Sequence, residues 1–412
     1  MSDEPGPFGV LRLPDQIIFG TGSVASLAPE VAALGRRVLV CADPVVATGE
    51  TFAAVMDVLV DLGVSVTVDT GIVPELPVDG VHAAAERARE AHPEVVVGFG
   101  GGSALDQAKL VALLLAHGGP LARFYGENRV PGPVLPLVAV PTTAGTGSEV
   151  TPVAVVSDPD RELKVGVSSR HLVPRAAIVD PGLTFGAPPS VTAHAGIDAF
   201  VHAVEAYTAG TRSPEWAQEL PVFVGRNRLS SLLALEAVRM IATNLRTAVA
   251  DPLDEPARTA MAHGSLLAGM AFGSAGTHFS HALQYPVGAL SRTPHGLGTG
   301  MLLPHVLAAC RTVTTAELAD IGTAMGVPPG SPDERADAAL AAVSSLVADI
   351  GLPAGLGAIG IPKNSLPRVA ELALGVARLA GNGPVPPTQE RFEQILAAAS
   401  RSTSAAPQEV RR

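Results

Sequence analysis

Cysteine is almost missing from this chain. Cys41 and Cys310 are the only two in 412 residues. They cannot build a disulfide framework, and no C-x-x-C spacing exists, so a reducing, cytoplasmic setting is expected. Basic charge is also short: 28 Lys and Arg face 39 Asp and Glu, a net charge of -11. Neutralising phosphates takes a basic surface, so no nucleic-acid partner is expected. Only 16% of residues are charged while 47% are apolar, the opposite of a disordered chain. Lysine is nearly replaced by arginine, and two of the three lysines, Lys109 and Lys164, stand beside the motifs described below. The opening MSDEPGPFG has neither a basic region nor an apolar core, so no secretory signal is expected there. Between Arg258 and Arg292 no Asp, Glu, Lys or Arg occurs, but His263, His278 and His281 do, with Gly264, Gly269, Gly273 and Gly276. That stretch reads as a buried helical segment rather than a membrane span.

The length predicts two or three domains. Short apolar runs rich in β-branched residues fall at 16–20, 37–43, 64–69, 94–100, 136–140 and 175–180, with helical patterns at 47–62, 79–91 and 103–117 between them. Strands alternating with helices predict a parallel sheet covered on both faces. Residues 150–169 read instead as a β-hairpin turning at Asp158-Pro159-Asp160. After Asp180-Pro181-Gly182 the periodicity is helical, at 190–208, 230–249, 255–275, 313–325, 333–350, 364–378 and 388–400, with loops across 351–364 and a polar, frayed tail from Ser400. The expected organisation is an α/β domain over 1–185 and an all-helical domain over 186–412. Its apolar helices suggest a homo-oligomer.

The sharpest cofactor signal is VVVGFGGGSALDQAK (95–109), where a buried strand ends in Gly100-Gly101-Gly102-Ser103 and a helix begins at once. Glycines let backbone approach a ligand closely, and a helix N-terminus offers N–H groups and a positive dipole end to a pyrophosphate. Asp106 lies in the first turn of that helix. A second glycine pattern, Gly20-Thr21-Gly22-Ser23-Val24-Ala25, fits the dinucleotide fingerprint formally, but its short following helix makes it a structural turn. Asp43, ending a buried strand, can accept hydrogen bonds from an adenosine ribose and would repel a 2′-phosphate. It also suits a turn. At 140–153 another strand releases Thr142, Thr143, Thr146, Ser148 and Thr151, hydroxyls suited to phosphate and ribose contacts.

A metal pattern sits in the second half. Asp198 and His202 are four apart on one helix face. His281 and His295 follow in or beside the charge-free stretch. One carboxylate with three imidazoles suits a divalent ion such as iron or zinc. His194, His263, His278 and His305 stay open as alternatives on pattern alone.

Taken together, GGGSALDQAK, PTTAGTGSEVT, DPGLT, GIDAFVHAVEAY and TPHGLGTGM resemble the iron-containing (group III) alcohol dehydrogenases, in the same order and over most of the chain. The resemblance implies a Rossmann-like domain followed by a helical metal domain, the dehydroquinate-synthase-like architecture, with NAD(H) in the cleft. It implies Asp198, His202, His281 and His295 as ligands of one divalent metal, Fe(II) before Zn(II). It implies Gly101, Gly102, Ser103, Asp106, Thr142, Thr143, Thr146 and Lys164 as cofactor contacts, and Asp43 as an acid disfavouring NADP. The activity implied is metal-dependent, NAD(H)-linked interconversion of a small alcohol and an aldehyde. Three departures stand out. Tyr285 replaces the histidine that precedes Pro286 in HxMAHP, a change that resembles the hydroxyacid-oxoacid transhydrogenase branch and makes Tyr285 the candidate proton donor. Leu76 in VPELP stands where a PNP-like run has Asn. The segment 211–230 is longer than in diol and lactaldehyde reductases and carries Arg212, Arg226 and Arg228. With Arg292, three residues before His295, these suggest an acidic substrate such as a semialdehyde, a hydroxy acid or a phosphonoaldehyde. A dehydroquinate-synthase-like lyase or polyol dehydrogenase, and a non-catalytic nucleotide-binding protein, are the competing readings.

Overall fold

The computed structural model describes residues 8–161 and 163–401. The tail from position 402 and the first seven residues lie outside that range. The main sheet holds β1 (Gln16–Phe19), β2 (Arg37–Ala42), β3 (Ser65–Asp69) and β4 (Val95–Gly100), then β6 (Leu137–Pro141) and β9 (Ala176–Val179). A small sheet holds β5 (Gly126–Glu127), β7 (Val153–Asp158) and β8 (Leu163–Ser168). The main sheet runs in the order β1-β9-β6-β4-β2-β3, every neighbour parallel. β4 and β6 are buried along their whole length, which is why their sequences read as unbroken apolar runs.

Side chains alternate between two cores. Val38, Val40, Val95 and Val97 pack under α1 (Leu27–Leu34) and α2 (Glu50–Asp61). Leu39, Cys41 and Val96 pack under α3 (Val78–Arg89) and α4 (Gly102–His117). After β3 the chain crosses back over β2 to lay down β4, so the loops after β2 and β4 leave the sheet in opposite directions. That reversal opens a crevice at the carboxyl ends of the strands, where α/β sheets bind ligands. The hairpin expected at 150–169 is present as antiparallel β7 and β8. The two-residue β5, paired parallel to β8, is too short to leave a sequence pattern.

The second half is helical: α5 (Pro189–Thr208), α6 (Arg228–Ala250), α7 (Glu255–Ala275), α8 (Phe279–Ser291), α9 (His295–Cys310), α10 (Thr315–Ala324), α11 (Pro332–Asp349), α12 (Leu366–Gly375), α13 (Ala377–Ala380) and α14 (Gln389–Arg401). α5 starts on Pro188-Pro189, and from Gly196 to Thr208 every residue is buried. A helix apolar on all sides belongs in a core, and α6, α7 and α9 surround it. α6 opens on a capping box in which Asn227 and Ser230 satisfy each other's backbone N–H groups. No helix among the described residues is long and apolar enough to cross a membrane. The charge-free stretch is two helices rather than one segment. Gly276, at φ +80°, breaks it, and a Cβ there would meet the Asn382 amide at 2.9 Å. Asn382 donates to the carbonyls of Ala275 and Thr277 and fixes the break.

Candidate metal and cofactor site

Three helices supply one cluster. Asp198 and His202 share a face of α5, His281 lies in the first turn of α8, and His295 opens α9. α9 reaches α5 because its early residues are small. A Cβ on Gly296 would stand 2.0 Å from the His194 carbonyl and 2.9 Å from the Asp198 Cβ. Asp198, His202 and His281 are buried, and their ligand atoms lie within 4.8 Å of one another. The Asp198 carboxylate is 3.8 Å from His202 Nε2, 3.8 Å from His281 Nε2 and 3.9 Å from His295 Nε2.

Those distances are too long for hydrogen bonds, and His281 Nε2 has no hydrogen-bond partner although it is buried. A buried polar atom without a partner is costly. A cation centred among these atoms would satisfy all four, so the residues fit a divalent ion. Burial pulls the His202 imidazole down to about 4 and the His295 imidazole to about 3, against the attraction of Asp198. Both are therefore neutral at physiological pH, the form that ligates metal. Burial pushes the Asp198 carboxyl up, but His202, His295, His281 and the Thr299 hydroxyl outweigh it and hold it ionised.

One functional residue escaped the sequence reading. Glu205 is fully buried and accepts from the backbone N–H groups of His278 (2.7 Å) and Ser280 (2.6 Å) and from His281 Nδ1 (2.7 Å). Burial alone would raise its pKa, but His278 and His281 hold it well below the carboxylate range. An ionised carboxylate can only accept, so the His281 proton sits on Nδ1 and the Nε2 lone pair faces the cluster. Thr299 does the same for Asp198, donating at 2.7 Å. Glu205 stands seven residues after Asp198 and three after His202, on the same helical face. That spacing was the available signal. Of the alternative histidines, His278 is buried beside Glu205 and Thr208, and His263 packs on Phe19. Neither they nor His194 and His305 belong to the cluster.

The cofactor candidates gather at the crevice. Gly100 has φ +156°, and a Cβ there would stand 3.0 Å from Asp43 Cβ, so the loops after β2 and β4 touch. Gly101 caps α4 with no side-chain hydrogen bond to its first turn. A Cβ on Gly102 would lie 2.6 Å from Thr146 Cγ2, and one on Gly101 would lie 3.5 Å from Thr143. The glycine loop and the threonine loop thus form one cradle, tightest at Gly102. Thr142 and Thr143 line a small pocket behind it, with Thr184 and Thr192. Asp106 is spent on structure: its oxygens accept from Ser148 Oγ at 2.6 Å and from the Val155 N–H at 2.9 Å. Asp43 accepts from the Val45 N–H at 3.0 Å, a turn contact. The turn at Gly20–Ala25 sits at the edge of the sheet, where Asp180 accepts from the Val24 N–H.

A cavity of about 180 Å³ joins the two parts. Gly102, Ser103, Asp106, Thr146 and Lys164 line it on one side, Asp198, His202, His281 and His295 on the other, with Leu76, Phe272 and Tyr285 between. Lys164 pairs with Glu75. Tyr285 is 5% exposed, and its ring centroid is 6.2 Å from that of His295. The expected arginines need correction. Arg292 caps α8 with φ +54°, is exposed, and does not line this cavity. The left-handed turn swings its side chain outward. Arg226 is buried in an ion pair with Glu317 at 2.6 Å, Arg212 donates to Asn382, and Arg228 is exposed. The arginine that lines the cavity is Arg378, on α13.

Two family profiles cover the chain: one described as iron-containing alcohol dehydrogenase matches residues 14–181, and one described as the C-terminal part of that family matches 192–400. The chain is 39% identical over 394 residues to long-chain-alcohol dehydrogenase 1 of Geobacillus thermodenitrificans, covering 94% of this chain and 96% of the relative. A solved 1,3-propanediol oxidoreductase superposes with a TM-score of 0.88 at 31% identity, covering 95% of this chain and 100% of that one. The sulfoacetaldehyde reductase of Bifidobacterium kashiwanohense, solved in complex with NAD+, superposes with a TM-score of 0.83 at 28% identity, covering 97% and 100%.

Proposed function

The chain belongs to the iron-containing alcohol dehydrogenase family, and from that premise we propose how its own residues carry out an NAD(H)-dependent alcohol–aldehyde interconversion. Asp198, His202, His281 and His295 hold one divalent metal, Fe(II) in preference to Zn(II). The observation that carries this assignment is the convergence of three imidazoles on one buried carboxylate at 3.8–3.9 Å. When bound, the metal supplies Lewis acidity toward the substrate oxygen, and the nicotinamide supplies or accepts the hydride.

The protein does the positioning. The cradle of Gly101, Gly102, Thr143 and Thr146 receives the pyrophosphate at the α4 N-terminus, and Asp43 selects NAD over NADP. Glu205 and Thr299 orient the ligands. Lys164 carries positive charge on the cofactor side of the cavity. Tyr285 takes the proton step: burial raises its pKa, so Oη is protonated at neutral pH and donates toward the forming alcohol oxygen. The division near residue 185 would let the helical half close on the sheet domain. Self-association is supported by the exposed Trp216, Leu232 and Leu253, and a cytoplasmic setting by two buried free thiols.

The test is anaerobic NADH oxidation with short aldehydes, comparing protein stripped of metal with protein reloaded with ferrous ion. Turnover that needs the ion supports the reading. Nucleotide binding without turnover on any aldehyde or 2-oxo acid would instead favour a non-catalytic binding protein.

A further inference from the structure

We propose that Arg378 selects the substrate, and that the substrate is a short aldehyde or alcohol bearing an oxyanion group: carboxylate, sulfonate or phosphonate. This rests on the alcohol–aldehyde reading above and narrows it.

Arg378 faces two spaces. It lines the metal-side cavity with Tyr285 and His295, and it lines an open cavity of about 570 Å³ outside, with Arg161, Lys164, Tyr285 and Glu127. It stands at the throat between solvent and the cluster. Its guanidinium carbon lies 4.7 Å from the centre of the Phe223 ring, a cation–π contact that holds the head group in place. Phe223 belongs to the long 211–230 segment, so that insertion builds the platform under the arginine. Arg378 and Tyr285 line both cavities together.

The charges around this throat differ in one respect. Lys164 is paired with Glu75, and Arg161 has Asp158 at 3.9 Å. Among the described residues Arg378 forms no ion pair with a carboxylate. A half-buried cation, held against an aromatic ring and lacking a counter-ion, shares its cavity with the proposed proton donor. A planar guanidinium fork matches carboxylate, sulfonate and phosphonate oxygens. In a chain of net charge -11, a cation without a carboxylate partner at this mouth also draws anions in preference to the rest of the surface. An anionic tail on Arg378 would direct the other end of a short substrate inward, past Tyr285. The reaction balances without a further reactant: hydride passes from NADH to the carbonyl carbon, and a proton reaches the oxygen.

The experiment measures kcat/KM of the ferrous holoenzyme for 4-oxobutanoate and butanal, matched in chain length, in wild type, Arg378→Leu and Arg378→Lys. Wild type is expected to prefer 4-oxobutanoate at least tenfold. Arg378→Leu should raise KM for the acid at least tenfold more than for butanal, and Arg378→Lys should recover part of the difference. Equal losses on both aldehydes would reduce Arg378 to a support for Tyr285 and overturn the proposal. So would a raised KM for NADH alone, which would place the guanidinium on the cofactor. If wild type reduces butanal but never prefers the acid, the inference falls while the alcohol–aldehyde reading stands. If it reduces neither, with or without iron, that reading falls first.

Discussion

Asp198 is useful only because its neighbours hold it ionised and pointed. Glu205 plays the corresponding part for His281: with both oxygens engaged and no exposure, it locks the Nδ1–H tautomer. Replacing Glu205 by Gln keeps the shape and removes the charge. Ferrous or zinc affinity should fall about 10–100-fold, the usual effect of losing such a partner, with little change in far-UV circular dichroism. Unchanged affinity in a chelator competition would refute the role. Tyr285→Phe removes only a hydroxyl. We expect kcat for aldehyde reduction to fall about 100-fold or more, with the Kd for NADH unmoved. A drop in NADH affinity instead would mean that Tyr285 shapes the cofactor site. The four cluster residues were legible because Asp198 and His202 sit one turn apart and His281 and His295 lie in recognisable motifs. Arg292 misled because closeness to His295 in sequence is not closeness in space: a helix ends between them, and its cap turns the side chain to solvent. Arg378 left no signal, being about 80 residues further along on a four-residue helix.

At the scale of elements, the strands were readable because a sheet buried on both faces demands continuous β-branched runs, and the helices covering it carry plain amphipathic spacing. α8 and α9 were not delineated for the opposite reason. Both lie in charge-poor sequence buried on nearly every side, so no polar face marks their period, and Pro286 and Pro304 stand inside them. The close meeting of the two cofactor loops gives a sharp test. Gly102→Ala places a methyl 2.6 Å from Thr146 Cγ2 and should push the loops apart, weakening NADH binding at least tenfold by fluorescence titration. Gly80→Ala, inside α3 with nothing within 4 Å, should leave NADH binding alone and stabilise the fold by about 0.5–1 kcal/mol. Equal NADH affinity in wild type and Gly102→Ala would dismiss the cradle.

At the scale of the molecule, a buried pair beneath the cleft sets a pH response. Lys109 is fully buried and donates to the carbonyls of Thr151 and Val153 at 2.8 Å, tying α4 to the hairpin. Burial lowers it to about 8, and burial raises the nearby Glu149 to about 7, with Lys109 opposing. The folded Glu149 therefore binds its proton more tightly than the unfolded chain does. Its contribution is present below about pH 4.5 and is lost as pH rises through about 7. Glu149→Gln stays neutral, so its melting temperature relative to wild type should climb between pH 5 and pH 8. A constant difference would show that the folded Glu149 does not titrate in that range and would contradict this reading. The largest claim is that both halves of the chain meet around one ion, with sheet loops offering the dinucleotide and three helices offering the ligands. Its most direct test is metal content by mass spectrometry, read beside NADH-linked reduction of a short aldehyde, in anaerobically purified wild type and His281→Ala. We predict about one iron or zinc per wild-type chain, with both metal and turnover lost together in the variant. Full turnover by metal-stripped wild type, or by a His281→Ala protein that holds no ion, would contradict it.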